Sequence, residues 1–402
     1  MGKSYEEFLA TKSSRNANKK KKEVKHPPKF TPGVSYSEET KSGEIVSSPQ
    51  KNNSVDWKEQ LESYFGKDAS KYSVVPGTAE IRFWDSNIGN GNIERLYYFK
   101  AKIVSDKLFM PDDDFKLLLK EAKRKKPLDK PKKVKGKTLV IALSDWQIGK
   151  KGTEKTVEQF TSAIPKIKEH IKYLKKIEQI DQVLFAGLGD IVEGCTGFYD
   201  MQEFEVELDF RQQQKVARRM AYMAIKEIAP MFEKSIVCFI AGNHGQPRKN
   251  GKAFTSFGDN RDVQLAEELQ EIFSEAPAFK DRIDFIIPDN ELSQTFDISD
   301  VTITLAHGHQ MYGGGNAQAK AKTWLANQSL ARNEIADADI LLMGHYHFFS
   351  SYETSDRLII QAPTLDQGSE WFENTKGDRS NPGILTFLVG GKEKWNNINV
   401  IR

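Results

Sequence analysis

Five of the seven histidines in this 402-residue chain lie in three short glycine-containing segments, each at the end of an apolar run. The segments are IAGNHG with His244, LAHGHQ with His307 and His309, and LLMGHYH with His345 and His347. Short apolar runs predict buried β-strands, and side chains that follow such strands converge on one edge of a sheet. Histidine scattered for solubility or core filling would not concentrate in this way. The pattern therefore predicts a two-metal site at the edge of a sheet.

Two further apolar runs end in acids, VIALSDWQ with Asp145 and LFAGLGD with Asp190. From Thr138 onward, short apolar runs alternate with helical patterns, which is typical of an α/β domain. The predicted strands are TLVIALS, QVLFAG, SIVCFIAG, RIDFII, VTITLAH, DILLMG, LIIQAP and GILTFLV, and the predicted helices include residues 155–178, 209–228, 260–274 and 317–336.

Composition excludes several classes of protein. The formal charge is +3, and two cysteines, Cys195 and Cys238, provide neither a disulfide framework nor a cysteine metal knuckle. The chain contains no apolar stretch near the ~20 residues that span a bilayer, and its N-terminus lacks the apolar core of a signal peptide. We therefore expect a cytoplasmic protein without a membrane partner.

The first third of the chain is organised differently from the rest. Residues 1–54 are rich in Lys, Ser, Asn and Pro and include the run Lys19–Lys22, which predicts a disordered basic tail. Residues 55–126 predict a small α+β module, and residues 127–137 a Lys/Pro linker.

Aromatic residues of this module alternate with cations, a pattern that fits either nucleic-acid or partner binding, or the core of a small domain. The aromatic residues are Phe83, Trp84, Tyr97, Tyr98 and Phe99, and the cations are Arg82, Arg95 and Lys100.

In order, the motifs are DWQ from Asp145, GDIVE from Gly189, GNH from Gly242, HGH from His307 and GHYH from Gly344. This order resembles the calcineurin-like metallophosphoesterase superfamily over about residues 138–390, and residues 138–402 are predicted to be the catalytic domain. The layout of the chain also resembles bacteriophage-encoded members and, more distantly, the nuclease subunits of double-strand-break repair complexes. The resemblance implies a four-layer α/β/β/α sandwich as the catalytic domain, behind the small α+β N-terminal module.

The resemblance also implies the ligands of two divalent metal ions. Asp145, Gln147, Asp190 and His347 would hold the first ion, whereas Asp190, Asn243, His307 and His345 would hold the second. Asp190 would bridge the ions, which lie about 3.5–4 Å apart in such sites and lower the pKa of a bridging water. His244 would act as the general acid toward the leaving oxygen.

Two positions depart from the superfamily pattern. Gln147 stands where histidine is usual, and its amide oxygen favours Mn²⁺, with Mg²⁺ as the alternative, over Zn²⁺ or iron. Gly245 stands where many relatives carry an acid that could orient the histidine, so another group must position His244.

Four residues near the motifs are candidates for substrate contact. Arg248 and Lys249 follow GNHGQ closely enough to meet a phosphate backbone, and Trp371 lies in a loop that could pack on a base or seal a sheet edge. His309 either contacts substrate or caps the glycine-rich turn Gly313–Gly315.

Three functions remain open at this point. The lysine-rich stretches at residues 12–29 and 116–137 and the aromatic module favour a DNA phosphodiesterase, that is, a nuclease that uses a hydroxide bridging the metals. The second is a phosphatase or phosphodiesterase for a small nucleotide or a phosphoprotein. The third is a nucleic-acid-binding protein with a vestigial metal site, in which the N-terminal module contacts the partner.

Overall fold

The computed structural model describes residues 32–37, 42–66, 69, 72–74, 78–89, 92–105, 114–125, 127–199, 202–249, 251–354, 356–366, 368 and 381–402. The chain divides into two compact units, Met1–Asp106 and Lys107–Arg402. Within the described residues, none of the helices is both long enough and apolar enough to cross a membrane.

The helices are α1 (Trp57–Phe65), α2 (Asp114–Arg124), α3 (Thr153–Leu174), α4 (Gln202–Glu205), α5 (Phe210–Ile228), α6 (Arg261–Ser274) and α7 (Ala317–Leu330). The strands of the first unit are β1 (Gly33–Ser37), β2 (Ser42–Val46), β3 (Tyr72–Val74), β4 (Glu80–Gly89) and β5 (Asn92–Ser105). Those of the second unit are β6 (Lys137–Leu143), β7 (Ile180–Gly187), β8 (Lys234–Phe239), β9 (Arg248–Lys249), β10 (Lys252–Ala253), β11 (Ile283–Ile286), β12 (Ser293–Ile298), β13 (Val301–Ala306), β14 (Ile340–Met343), β15 (Ser350–Thr354), β16 (Arg357–Gln361), β17 (Ile384–Val389) and β18 (Trp395–Ile401).

The first unit contains a five-stranded antiparallel sheet in which β5 pairs with β2, β3 and β4, and β1 pairs with β2. Residues 1–54 were predicted to be a disordered tail, but strands β1 and β2 lie within this range. Ile45 of β2 is buried in one apolar cluster with Ile103 of β5. The lysine run Lys19–Lys22 lies outside the described residues.

The aromatic side chains of the β4–β5 hairpin are divided between core and surface. Phe99 is buried, whereas Phe83 is 57% exposed. The guanidinium of Arg95 lies 4.7 Å from the centre of the Phe83 ring and 2.8 Å from the carboxylate of Asp85. Phe99 is therefore part of the core of a small domain, which was one of the two interpretations of these rings, whereas Phe83 is not.

The boundary between the units differs from the predicted one, because α2 packs in the second unit. Leu118 and Ala122 of α2 belong to the main core of that unit, and the Asp114 carboxylate pairs with Arg218 and Arg219 of α5. The predicted Lys/Pro linker, residues 127–137, also lies along the second unit, held by hydrogen bonds such as the one from Gly136 N to Asp181 at 2.8 Å.

Two mixed sheets form the centre of the second unit. The six-stranded sheet has the order β11-β8-β7-β6-β17-β18, and the five-stranded sheet has the order β12-β13-β14-β16-β15. Strands β6, β7, β8 and β11 are mutually parallel, as are β13, β14 and β16. Their apolar runs predict burial on both faces.

The core clusters show what covers each face. Along β6, Leu139, Ile141 and Leu143 pack in one cluster with residues of α3, α5 and α6. Val140 and Ala142 point the other way, into a cluster shared with the five-stranded sheet. The other face of that sheet packs with residues of α7. All eight strands predicted after Thr138 are present.

Candidate metal centre

Five of the predicted metal ligands follow the carboxyl ends of strands that are parallel within each of the two sheets. Asp145 follows β6, Asp190 follows β7, Asn243 follows β8, His307 follows β13 and His345 follows β14. The two sheets meet at this edge, where the backbone N–H of His345 donates to Asp145 Oδ2 at 3.0 Å. Residues from distant parts of the chain therefore face one another.

The ligands predicted for the second metal form a close cluster. His307 Nε2 lies 3.0 Å from Asp190 Oδ2 and 3.1 Å from Asn243 Oδ1. His345 belongs to the same group, in which ligand atoms of Asp190, His307 and His345 all lie within 4.8 Å of one another. The ring Nδ1–H of His307 donates to the Leu188 carbonyl at 2.6 Å, which leaves the lone pair on Nε2. Three lone-pair atoms then meet, an arrangement that a proton or a metal cation would stabilise.

The pKa shifts of these side chains also reflect the attraction of the cluster for positive charge. Burial lowers the pKa of His307, but the negative charge of Asp190 raises it to about 9. Although burial raises the pKa of Asp190, the neighbouring His307 and His244 hold it well below its usual range. The pKa of His345 falls to about 4, chiefly because it is buried. A metal ion would replace the proton on His307.

The first-metal ligands Asp145 and His347 also lie together. His347 Nε2 is 3.4 Å from Asp145 Oδ1, and that oxygen is buried without a hydrogen-bond partner among the described residues. The other oxygen, Oδ2, accepts from the hydroxyl of Ser144. A buried carboxylate oxygen without a donor requires an explanation, and a cation beside it would provide one.

Backbone strain is concentrated at the predicted ligands. Ten described residues other than glycine have positive φ, and five of them are predicted ligands, with φ between 45° and 72°. These five are Asp145, Gln147, Asp190, His345 and His347. Left-handed φ at non-glycine residues is uncommon and gathers at functional sites.

Glycine is required at two places where backbones approach these carboxylates. A Cβ on Gly242 would lie 2.2 Å from Asp190 Oδ1, and one on Gly344 would lie 2.7 Å from Asp145 Oδ2. Any side chain there would displace a predicted ligand. This explains glycine in the GNH and GHYH motifs.

Gln147 is buried, but its amide oxygen already has a donor. Lys150 Nζ lies 3.3 Å from Gln147 Oε1 and 2.7 Å from Asp366 Oδ2. An ammonium at this position repels a cation, so we expect the first metal to be bound more weakly than the second.

We expect Gln147→His to tighten the first metal site and to raise its affinity for Zn²⁺ relative to Mn²⁺, because imidazole favours the later metals. Calorimetric titration of metal-free protein with each ion measures the change. Gln270→His, on the exposed side of α6, is the matched control. Equal Mn²⁺ and Zn²⁺ affinities in wild type and Gln147→His would mean that Gln147 does not contact the metal.

His244 lies beside the cluster with one ring nitrogen engaged. Its Nδ1–H donates to the Glu193 carbonyl at 2.8 Å, and its Nε2 lies 4.0 Å from Asp190 Oδ2. The ring stacks on Phe198, with centroids 4.3 Å apart and planes at 6°. Burial lowers the pKa of His244, but Asp190 and Glu193 raise it to about 10. Glu193 and Phe198 are thus the groups that position His244 where Gly245 offers no acid.

Asp262 supports the ligand loops from behind, a role that the sequence did not reveal. Its buried carboxylate accepts backbone N–H groups of Asp190 at 3.0 Å, Ile191 at 3.1 Å and Gly242 at 3.0 Å. Burial and the nearby Asp190 raise its pKa to about 7. Asn260, the N-cap of α6, adds a bond from Nδ2 to the Gly242 carbonyl at 2.8 Å. The sequence indicated that a helix starts at Asn260, but it did not indicate the contact of Asn260 with Gly242.

We expect Asp262→Asn to lower the free energy of unfolding by about 1–3 kcal/mol, because an amide cannot accept all three buried N–H groups. Metal affinity should fall by roughly 10–100-fold, the usual effect of losing a group that orients ligands. Urea unfolding and metal titration measure both effects, with the exposed Asp259→Asn as control. Identical unfolding midpoints for the two variants would contradict the assignment.

The four predicted substrate residues have different locations. Arg248 is half-buried with its guanidinium 4.2 Å above the Phe198 ring, and Lys249 is exposed. His309 packs beside the ligands, with its ring 5.3 Å from that of His307, and burial lowers its pKa to about 3. Trp371 lies outside the described residues.

Comparisons with known proteins give remote likenesses. No protein-family profile matches the chain, and no curated protein matches it. Among solved structures, vacuolar protein sorting 29 from Cryptosporidium parvum is 14% identical over 66% of this chain and 98% of its own, with a TM-score of 0.31. A predicted phosphoesterase from Streptococcus pneumoniae is 12% identical over 64% and 85%, with a TM-score of 0.27. An archaeal phosphodiesterase is 14% identical over 65% and 99%, with a TM-score of 0.28.

Proposed function

We propose that this chain is a two-metal-dependent phosphoesterase that hydrolyses phosphodiester bonds, with DNA as its substrate. The observation that carries the proposal is that Asp190 Oδ2 and Asn243 Oδ1 both lie within 3.1 Å of His307 Nε2, beside His244. Metal ligands next to a histidine that is not itself a ligand suit hydrolysis of a phosphate ester.

We assign Asp145, Gln147, Asp190 and His347 to the first metal and Asp190, Asn243, His307 and His345 to the second. When bound, two divalent cations neutralise the phosphoryl oxygens and lower the pKa of a water molecule. Four of the seven side chains offer oxygen, which favours Mn²⁺.

The role of His244 follows from its two nitrogens. The Nδ1–H bond to the Glu193 carbonyl and the Phe198 stack fix the ring, so that Nε2 points toward Asp190. Although burial lowers the pKa of His244, the negative charges of Asp190 and Glu193 raise it. The protonated ring can donate its Nε2 proton to the leaving oxygen, which is general acid catalysis.

We also propose that residues 138–402 form the four-layer α/β/β/α sandwich of the calcineurin-like superfamily, close to its bacteriophage-encoded members. The packing of α3, α5 and α6 on one sheet and α7 on the other supports this arrangement.

The proposal is tested with protein stripped of metal by EDTA and reconstituted with Mn²⁺. Three substrates are offered: DNA, a chromogenic phosphodiester and a chromogenic phosphomonoester. We expect hydrolysis of DNA and of the diester, and none when EDTA is retained. Hydrolysis of the monoester alone would favour the phosphatase alternative, and metal binding without any hydrolysis would favour a vestigial site.

A further inference from the structure

Two segments at the metal-ligand edge contain cations and no acidic residue. Residues 244–249 and 251–258 follow β8 and include Arg248, Lys249 and Lys252. Residues 308–322 follow β13 and include Lys320 and Lys322. We call them the two basic segments. Their charge suits a polyanion rather than a neutral ligand.

The basic segments also carry exposed aromatic rings. Tyr312 is 81% exposed, Phe254 is 63% exposed and Phe257 is 49% exposed. Folding does not favour large apolar rings in water, so exposed rings on segments that follow the ligand strands indicate a ligand. Aromatic faces next to cations are the means by which proteins bind unpaired bases and their phosphates.

Contacts join both segments to the metal centre. Arg248 lies over Phe198, at 4.2 Å, and Phe198 stacks on His244. From the second segment, Lys320 Nζ lies 5.6 Å from the ring centre of Tyr346, whose ring lies 5.0 Å from that of His345. A strand held on these segments would therefore reach the predicted ligands.

A third segment at the same edge has the opposite charge. Residues 202–209, which follow β7, contain four acids and no cation. Phe204 in this segment is also 67% exposed. Acidic side chains repel phosphates. Phe204 is therefore an exposed ring without the neighbouring positive charge that binding of a nucleic acid requires.

We propose that the two basic segments bind single-stranded nucleic acid, with phosphates on their cations and unpaired bases stacked on Phe254, Phe257 and Tyr312. This inference rests on the proposed phosphodiesterase function, because hydrolysis of the bound strand requires that activity. Bases inside a duplex have both faces covered, so ring stacking selects unpaired strands.

The test is fluorescence anisotropy with a labelled mixed-sequence 20-mer, single-stranded or annealed to its complement, in EDTA so that nothing is cleaved. We expect wild type to bind the single strand more tightly. Phe254→Ala and Tyr312→Ala should each weaken that binding by roughly tenfold. Phe254→Trp should retain it, and the matched control Phe204→Ala should leave it unchanged.

Salt dependence tests the cations separately. Lys249→Ala and Lys252→Ala should each reduce the slope of log affinity against log salt by about 0.7, the value for one phosphate contact on a single strand. Tighter binding of the duplex, unchanged binding by the Phe254→Ala and Tyr312→Ala variants, or an equal loss in Phe204→Ala would overturn the inference.

Hydrolysis of the chromogenic diester with Mn²⁺ separates the two proposals. If the strand binds in a ring-dependent way but wild type does not hydrolyse the diester, the phosphodiesterase proposal is rejected and the proposed binding surface is retained. Hydrolysis with ring-independent binding would reject the surface alone. Circular dichroism of each variant confirms that the exposed substitutions leave the fold intact.

Discussion

Replacing Asp190 with asparagine is expected to abolish hydrolysis and to leave about one bound metal ion per chain or fewer. Two divalent ions about 4 Å apart repel each other by on the order of 16 kcal/mol at an effective dielectric constant of about 20. A shared carboxylate offsets this repulsion, which a neutral amide does far less well. The metal content of dialysed protein and the turnover of the chromogenic diester are the measurements.

The fold should survive this substitution, so that the loss is interpretable. The backbone N–H of His244 donates to Asp190 Oδ1 at 2.8 Å, and an asparagine oxygen can still accept it. The exposed Asp289→Asn is the matched control, and it should retain two ions and full turnover. If Asp190→Asn retained wild-type turnover and two bound ions, Asp190 would not be a metal ligand.

His244→Gln is expected to lower turnover of an unactivated diester by about 10²–10⁴-fold, the usual range for loss of a general acid. Metal content should not change, because the His244 side chain is not among the proposed ligands. Turnover is measured on DNA and on a nitrophenyl diester. The loss should be smaller for the nitrophenolate leaving group, which needs little protonation.

His170→Gln on α3 provides the control for this variant, since that ring lies in the helical layer of the domain. Loss of metal from His244→Gln would identify His244 as a ligand. An equal loss of turnover on both substrates would show that its proton does not reach the leaving oxygen.

Much of the second unit was predictable because its elements have strong local signals. The eight predicted strands are short apolar runs, buried along most of their length except for the edge strand β11. Helices at Phe210–Ile228 and Arg261–Ser274 start at Asp209 and Asn260, which cap them. Strands β12, β15 and β18 were missed, because SQTFDI, SSYET and WNNINVI are too polar to form apolar runs.

The N-terminal third was predicted less well, for the same physical reason. β1 and β2 contain few apolar residues, and Ile45 is buried in a cluster that includes residues of β5, more than fifty residues away along the chain. Helix α2 has a clear sequence pattern, but its burial against Arg218 and Arg219 depends on α5. Local composition does not contain such contacts.

The sequence by itself placed the motif residues directly after apolar strands, and parallel strands bring the residues that follow them to one edge. The assignment of these residues to two metal ions came from the resemblance of the motifs to a known superfamily and stays a prediction. Only the tertiary structure decided what surrounds those ligands: Asp262 behind the loops, Lys150 on the oxygen of Gln147, and Phe198 between His244 and Arg248. These contacts join segments far apart in the chain, and their distances depend on how the two sheets pack. A pattern along the sequence specifies which side chains follow a strand, whereas packing specifies which other side chains they meet.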